Sequence, residues 1–232
     1  MFREIGELLY PWPLSCICCG AQELNEDVLC VKCRDRLVMQ SATFGFAQRG
    51  FEMSVAAHEY AGPAGALVRA LKYHTLKVLA DDMARDMLRA AENAGMPRPD
   101  MVTYVPMHWR RRQSRYINQA QVLAKAIARE FEVSTDRALK RIRSGRQQAR
   151  ISDLQLRRDN VRDAFAARHG LEGMKVLLVD DVYTTGATAR ECSQALRAAG
   201  AADVYLLVYA LAGDGRRGGP AGNVPDDIDM PF

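Results

Sequence analysis

The sequence predicts an α/β fold in which helices flank a mostly parallel sheet, preceded by a small cysteine-rich module. Two short runs, Met101–Val105 and Val176–Val179, are apolar without polar alternation, which is typical of strands buried on both faces of a parallel sheet. Each run is followed by a segment with helical spacing of its apolar residues, the order expected of an α/β protein. Five of the six cysteines lie in the first 33 residues. A length of 232 residues allows one α/β domain and one small module.

The composition and its changes along the chain give the predicted domain limits. With 48% hydrophobic and 26% charged residues, the chain is typical of a globular protein with a core. We place the cysteine-rich module at residues 1–45 and the α/β domain at 46–212. Residues 213–232 are predicted to be a disordered tail, because they are rich in Gly, Pro and Asp without apolar periodicity.

The sequence gives no sign of a membrane segment. No run approaches the roughly 18 apolar residues of a membrane span, and the N-terminus lacks the basic and then apolar layout of a signal peptide. We therefore expect a cytoplasmic protein without membrane insertion.

The cysteines form two Cys-x-x-Cys pairs, Cys16 with Cys19 and Cys30 with Cys33. Two such pairs separated by a short link suit tetrahedral Zn²⁺, because each pair presents two thiolates to one metal ion. In a cytosolic protein a metal is a better explanation of this spacing than disulfides. The pattern predicts a zinc ribbon with a structural zinc site. A register with Cys18 in place of Cys19 and a set of reduced free thiols are the alternatives.

The second apolar run leads into the segment that indicates function. Asp180 and Asp181 follow Val176–Val179 and so lie at the carboxyl end of a strand, where open α/β sheets bind ligands. Helical spacing from Ala187 onward makes Thr184–Thr188 the turn into a helix, whose first backbone amides can bind an anion. The segment therefore predicts a sugar-phosphate site. The alternative is an ordinary strand, turn and helix with Asp near a helix N-terminus.

The first apolar run leads into a basic loop. Pro106 closes the Met101–Val105 strand, and a helical run covers Asn118–Phe131. Between them lie four arginines within six positions, and arginine offers forked donors that match phosphate oxygens. The loop is predicted to bind pyrophosphate. Its candidate ligand-binding residues are His108, Arg110, Arg111, Arg112 and Arg115. Lys72, at the end of an upstream helical run, is either a further phosphate contact or a solvated lysine at a helix end.

Positive charge is concentrated in the middle of the chain. Residues 110–168 contain 16 Lys and Arg against 6 Asp and Glu, a net charge of +10, whereas the whole chain carries +4. A polyphosphate ligand would use part of this charge. The rest could bind single-stranded DNA, with Trp109 or Tyr116 as a stacking face, or could simply be a solvated surface.

Taken together, these motifs resemble a known family. The run Asp180–Thr188 resembles the phosphoribosyl pyrophosphate (PRPP) motif of type I phosphoribosyltransferases. From about residue 8 to 210 the chain resembles the ComF family, which is associated with competence and DNA uptake and joins a zinc finger to a phosphoribosyltransferase-like domain. One departure is Arg115-Tyr-Ile-Asn-Gln119, where the family usually has Arg-Gly-Phe before Asn-Gln. Besides the cysteine pairs and the PRPP motif, the resemblance rests on Leu71–Tyr73, Val105–Arg112, Asn118–Ala120, Gln148, Arg157–Val161 and Ala164–Phe165.

The resemblance implies roles for these residues. Asp180 and Asp181 would hold the ribose hydroxyls of PRPP, and Mg²⁺ would accompany the ligand. It also implies a type I phosphoribosyltransferase-like fold and a flap that closes over the site, in the segment from Arg141 to Val161. The alternative for this segment is a solvated connecting loop with an amphipathic helix. The 5-phosphate would be bound by Tyr183, Thr184, Thr185, Gly186, Ala187 and Thr188.

The expected function is PRPP binding, linked to competence and DNA uptake, with phosphoribosyl transfer to an acceptor that the sequence does not identify. The alternative is a non-catalytic protein that senses PRPP or binds single-stranded DNA with the same basic face.

Overall fold

The structure, a computed structural model, describes residues 15–22, 24, 28–40, 44–73, 77–107, 117–142 and 164–212. The predicted tail and most of the predicted flap lie outside these residues. The helices are α1 (Val31–Gln40), α2 (Gly62–Tyr73), α3 (Lys77–Asn93), α4 (Gln119–Glu130) and α5 (Ala187–Ala198). The strands are β1 (Phe44–Gly45), β2 (Met53–Glu59), β3 (Met101–Tyr104), β4 (Ser134–Thr135), β5 (Leu139–Arg141), β6 (Phe165–Ala167), β7 (Lys175–Tyr183) and β8 (Asp203–Leu211).

Within the described ranges, six strands form one sheet in the order β1-β2-β8-β7-β3-β4. All neighbours are parallel except β1, which pairs antiparallel with β2 at one edge. The two apolar runs of the sequence, β3 and β7, lie side by side in this sheet. The predicted α/β fold with a mostly parallel sheet is confirmed.

Strand β7 is longer than its apolar run predicts. It extends to Tyr183 because β8 supplies hydrogen-bonding partners along its whole length, with Asp180 opposite Val208 and Tyr183 opposite Leu211. The strand thus extends four residues past Val179, the last residue of the apolar run. Both aspartates belong to the strand itself.

Helices and loops cover both faces of the sheet, which explains why its central strands are apolar throughout. On one face, α2, α3 and α4 pack against β2, β3, β7 and β8. Helix α3 contributes Leu79, Met83 and Met87, spaced one turn apart on its buried side. On the other face lies α5, with Cys192 and Leu196 fully buried. Cys192, the one cysteine outside the first 33 residues, is thus a core residue of this helix.

The cysteine-rich module packs into the same core as the helices of the first face. Val28, Leu29 and Leu37 are almost completely buried and belong to one apolar cluster with residues of α2 and α3. Loss of order in the module would therefore expose core surface of the sheet domain.

A second, two-stranded sheet pairs β5 with β6 in antiparallel register. The predicted flap joins these strands, and residues 143–163 lie outside the described part of the chain. The described residues at its two ends are linked, because the amide of Ile142 donates to the carbonyl of Ala164 at 2.8 Å. The Arg141 guanidinium also lies 5.2 Å from the centre of the Phe165 ring.

None of the helices in the described ranges combines the length and the apolar character needed to cross a bilayer.

Candidate functional site

The two aspartates lie where β7 extends beyond its neighbour. The ladder between β3 and β7 ends with Tyr104 opposite Val179, whereas the ladder to β8 continues to Tyr183. Asp180 and Asp181 therefore follow directly after the last β3 pairing, at the carboxyl edge of the parallel sheet. Both are partly buried. Ligands of open α/β sheets bind at this edge.

Local hydrogen bonds fix the two carboxylates. Oδ1 of Asp180 accepts the amide N–H of Asp181 at 3.0 Å, and Oδ1 of Asp181 accepts the amide N–H of Val182 at 2.8 Å. Each carboxylate is thus held by the backbone of the next residue. A pair of negative charges held in this way suits a partner that offers hydroxyl donors or a cation.

The loop after β7 reaches α5 through a glycine. Gly186 has φ +69°, in the left-handed region that favours glycine, and it lies at the N-cap position. No side chain caps the helix, and its first backbone bond runs from Arg190 N to Gly186 O at 2.9 Å. The amides of the first helical turn therefore have no carbonyl partner inside the helix. This arrangement suits an anion.

The small and hydroxyl-bearing residues surround that helix terminus. Thr184 and Thr185 are exposed, Gly186 is buried, and Ala187 and Thr188 are partly buried. The structure thus brings the five predicted loop residues to one place, next to the two carboxylates.

Tyr183 differs from the rest of the predicted phosphate loop. Its hydroxyl donates to Oε1 of Gln48 at 2.6 Å, and its ring meets that of Phe46 edge-on with centroids 4.7 Å apart. Burial raises the pKa of Tyr183, and the nearby Arg190 only partly offsets this. The side chain is therefore engaged by the protein, so only its backbone remains for the predicted phosphate contact.

Sequence reasoning missed Gln48 and Phe46. They lie in a segment without a motif, and the bond from Tyr183 to Gln48 spans 135 positions. No local pattern carries such a signal.

The basic loop begins and ends beside the aspartates. The amide of Val105 donates to the carbonyl of Val179 at 3.1 Å, and Nδ2 of Asn118 donates to the carbonyl of Val105 at 3.0 Å. Because Val179 precedes Asp180, both described ends of the loop lie near the carboxylates. The predicted phosphate contacts of the loop, His108, Arg110, Arg111, Arg112 and Arg115, lie outside the described residues. Lys72 lies in α2, and its side chain is likewise outside the described part.

The four predicted zinc ligands come together at a second place. The Sγ atoms of Cys16, Cys19, Cys30 and Cys33 all lie within 4.8 Å of one another, and those of Cys19 and Cys30 are 3.6 Å apart. Four sulfurs at about 2.3 Å from one Zn²⁺ would be about 3.8 Å apart, so the cluster fits that ion. Cys18 is not in the cluster, which decides the register in favour of Cys19.

The backbone explains how each pair is presented. The amide of Gly20, which has φ +76°, donates to the carbonyl of Cys16 at 2.8 Å and closes the first turn. Cys30 directly precedes α1 and Cys33 lies in its first turn. The spacing of two between cysteines thus comes from a tight turn in one pair and from a helix in the other.

The pKa values of two of these thiols are shifted in opposite directions. Burial raises the pKa of Cys16, but hydrogen bonds from backbone amides of Cys30, Cys19 and Cys18 outweigh it and lower the pKa to about 6. For Cys33, burial and the neighbouring thiols both raise the pKa far above its ordinary value. Four sulfurs this close cannot all be thiolates unless a cation lies among them.

Comparison with known proteins defines the class first. Residues 118–227 match the family described as "Phosphoribosyl transferase domain". The matched region contains β7, the turn Thr184–Thr188, α5 and β8, so this part of the fold is that of a phosphoribosyltransferase-type domain.

The relatives then define the family. The chain is 33% identical over 157 residues to DNA utilization protein YhgH of Salmonella typhi, covering 66% of this chain and 69% of the relative. It is 25% identical over 208 residues to competence protein F of Haemophilus influenzae, covering 84% of this chain and 90% of the relative. The chain belongs to the ComF family, which includes these proteins.

Among solved structures, the chain is similar to glutamine PRPP amidotransferase from B. subtilis complexed with ADP and GMP, with 26% identity and a TM-score of 0.37. The similarity covers 55% of this chain and 25% of the amidotransferase.

Proposed function

We propose that this protein binds PRPP together with Mg²⁺ at the carboxyl end of β7. One observation carries the proposal: two backbone-held carboxylates, Asp180 and Asp181, are followed five positions later by Gly186, which turns the chain into the uncapped N-terminus of α5. The ribose 5-phosphate part of PRPP carries hydroxyls on C2 and C3 and a phosphate on C5, so it needs hydroxyl acceptors and an anion site close together. The match of this region to phosphoribosyltransferase domains supports the same ligand.

The proposed roles follow from the chemistry of each group. Asp180 and Asp181 accept hydrogen bonds from the ribose hydroxyls. The first-turn amides of α5 and the hydroxyls of Thr184, Thr185 and Thr188 bind the 5-phosphate. The arginines at 110–112 and Arg115 bind the pyrophosphate. When bound, Mg²⁺ neutralises pyrophosphate charge and makes it a better leaving group.

We further propose that the site can transfer the phosphoribosyl group to an acceptor. The negative charge of Asp180 and Asp181 would stabilise positive charge that develops on the ribosyl ring as pyrophosphate leaves. The acceptor itself then attacks, so the protein needs no nucleophile of its own. The cysteine cluster holds a structural Zn²⁺ in this proposal, because its four ligands complete a tetrahedron.

Thermal unfolding tests the binding. PRPP at about 100 times its dissociation constant is expected to add about 2.7 kcal/mol, which raises the midpoint by about 5–10 °C for a chain of this size. The rise should require Mg²⁺. No rise at millimolar PRPP with Mg²⁺ would contradict the proposal. Release of pyrophosphate on addition of candidate acceptors would then distinguish transfer from binding alone.

A second function is favoured by separate observations. The relatives are named for DNA utilization and competence, and residues 110–168 carry a net charge of +10. A cytoplasmic protein that binds single-stranded DNA with this segment, with or without PRPP as a regulator, fits both. Affinity for a single-stranded oligonucleotide should then fall steeply with salt concentration. Binding that is absent at low salt would exclude this function.

A further inference from the structure

A short segment before β2 runs along one side of α5. We name this segment, Phe46–Glu52, the strap. Ser193 Oγ donates to the carbonyl of Gly50, and Arg197 Nε donates to the same carbonyl at 3.1 Å. Ser193 and Arg197 are four residues apart and so lie on the same side of the helix. The strap is thus anchored to the second half of α5.

The other end of the strap reaches the phosphate loop. Gln48 accepts the hydroxyl of Tyr183, and the Phe46 ring packs against the Tyr183 ring. Nε2 of Gln48 is buried and has no hydrogen-bond partner among the described residues. A buried amide that leaves one donor unused is unfavourable for packing alone, which points to the bond with Tyr183 as the reason for a glutamine here.

The Tyr183 ring in turn fixes the loop. A Cβ added to Gly186 would lie 2.6 Å from Cζ and 2.7 Å from Cε2 of Tyr183, so the ring occupies the space that a side chain would need. Because α5 has no side-chain N-cap, its first turn lacks the usual local restraint. The Tyr183 ring, held by the strap, supplies a restraint from outside.

We infer that Tyr183 is a positioning residue of the proposed PRPP site, held in place by Gln48 and Phe46. This inference rests on the proposed function. Through Tyr183 the strap keeps Gly186 and the first-turn amides of α5 in the geometry that receives a phosphate before the ligand arrives. The strap lies outside residues 118–227, which match the phosphoribosyltransferase domain. A segment from the amino-terminal part of the chain therefore positions the 5-phosphate turn, which belongs to the carboxyl-terminal part.

Two variants and one matched control test the inference. Tyr183→Phe removes the hydroxyl donor, and Gln48→Leu removes its acceptor. Tyr205→Phe is the control, because Tyr205 is a buried tyrosine whose hydroxyl also donates to a side chain, that of Asp203, at 3.4 Å. Tyr205 and Asp203 lie near the start of β8, whereas the proposed site lies at the opposite, carboxyl end of the parallel strands. Each variant is compared with the unchanged protein by hydrogen–deuterium exchange of peptide 182–190 and by affinity for ribose 5-phosphate and for magnesium pyrophosphate.

Both variants are expected to exchange the loop amides at least about 3-fold faster without ligand. They should bind ribose 5-phosphate about 3- to 10-fold more weakly, as loss of one hydrogen bond allows. Pyrophosphate affinity should stay within about 2-fold, because that group contacts the other end of the site. A double variant with Tyr183→Phe and Gln48→Leu should bind ribose 5-phosphate no more weakly than the weaker-binding single variant, since each single variant already loses the same hydrogen bond. The Tyr205→Phe protein should match the unchanged protein in exchange and in both affinities.

Two results would overturn the inference. One is loop exchange in both variants equal to that of the control. The other is an equal fall in ribose 5-phosphate and pyrophosphate affinity, which would indicate general loosening of the protein. If the unchanged protein binds neither compound, the proposed function fails, and with it the role of Tyr183 in ligand binding. Exchange would then still decide whether the strap holds the loop.

Discussion

The geometry of the proposed site depends on the backbone φ angle of one residue, Gly186. Its φ of +69° requires glycine, and its missing Cβ makes room for the Tyr183 ring. The sequence predicts that this glycine lies in a phosphate-binding turn, because of the motif around it and the two aspartates before it. It does not predict Tyr183 as the neighbour that fills the space, because side-chain direction depends on residues far away in the chain.

Replacing Gly186 by alanine should reduce both stability and ligand binding. A matched control is Gly95→Ala, because Gly95 has the same φ of +69° and nothing within 4 Å of its added Cβ. The control is expected to lose about 1 kcal/mol of unfolding free energy from the backbone angle alone. Gly186→Ala should lose at least about 1 kcal/mol more from the clash with Tyr183. Urea unfolding measures the loss of unfolding free energy in each variant. Equal losses in Gly186→Ala and Gly95→Ala would show that the Tyr183 ring does not restrain the loop.

Glu52 provides a pH-dependent test at the anchored end of the strap. Burial raises the pKa of Glu52, but the amide of Val204, which donates to Oε2 at 2.6 Å, and the Arg197 guanidinium outweigh it and lower the pKa. A lowered carboxyl pKa contributes stability above the unfolded pKa of about 4.3, and that stability is lost as pH falls through the folded pKa.

Glu52→Gln is therefore expected to cost about 1 kcal/mol of unfolding free energy at pH 7, a modest value because the pair is partly exposed. The difference from the unchanged protein should shrink as pH falls below about 4.3. Urea unfolding at several pH values measures it. A difference that stays constant down to pH 3 would mean that the charge of Glu52 contributes nothing.

At the scale of elements, α1 links the cysteine cluster to the core. Cys33 lies in its first turn, and Leu37, one turn further, is buried with residues of α2 and α3. The sequence predicts the four ligands from their spacing. It does not distinguish a tight turn from the first turn of a helix, because both bring residues three apart together. We propose the boundary at residue 45 as a limit of the zinc-binding segment, although its core is continuous with the sheet domain.

Loss of one cysteine ligand should destabilise the whole protein. Cys33→Ser is expected to release zinc and to lower the unfolding free energy by at least about 3 kcal/mol, because metal binding and folding are coupled and the module shares the core. Cys18→Ser is the matched control, since Cys18 lies outside the cluster. It should keep one zinc per chain and an unchanged midpoint. Zinc content by atomic emission and thermal unfolding check both, and full zinc content in Cys33→Ser would refute the site.

The length of β7 shows the limit of element prediction from local sequence. The apolar run ends at Val179, but the strand continues through two aspartates to Tyr183 because β8 lies alongside. Pairing with a distant strand overrides the poor strand propensity of Asp. For the proposed site, the consequence is that the aspartates gain the rigidity of a strand while extending past β3.

At the scale of the whole molecule, the sheet separates two apolar clusters, and the proposed site lies at the carboxyl ends of its strands. The fold class follows from the sequence because buried parallel strands must be apolar on both sides, a property visible in runs of four or five residues. The strap does not follow, because its contacts with α5 and β7 join residues more than 130 positions apart. The flap and the basic loop remain predictions. The described residues at the ends of the flap lie on the β5–β6 pair, and those at the ends of the basic loop lie beside the proposed site.

Titration calorimetry of magnesium PRPP tests the central claim most directly. The proteins compared are the unchanged chain, a double variant with Asp180→Asn and Asp181→Asn, and the control Asp203→Asn at the opposite end of the sheet. We expect one ligand per chain, affinity at least about 10-fold weaker in the double variant, and control affinity within about 2-fold of the unchanged chain. Equal affinity in the double variant, or no heat of binding in the unchanged chain at millimolar PRPP, would contradict the assignment of the site.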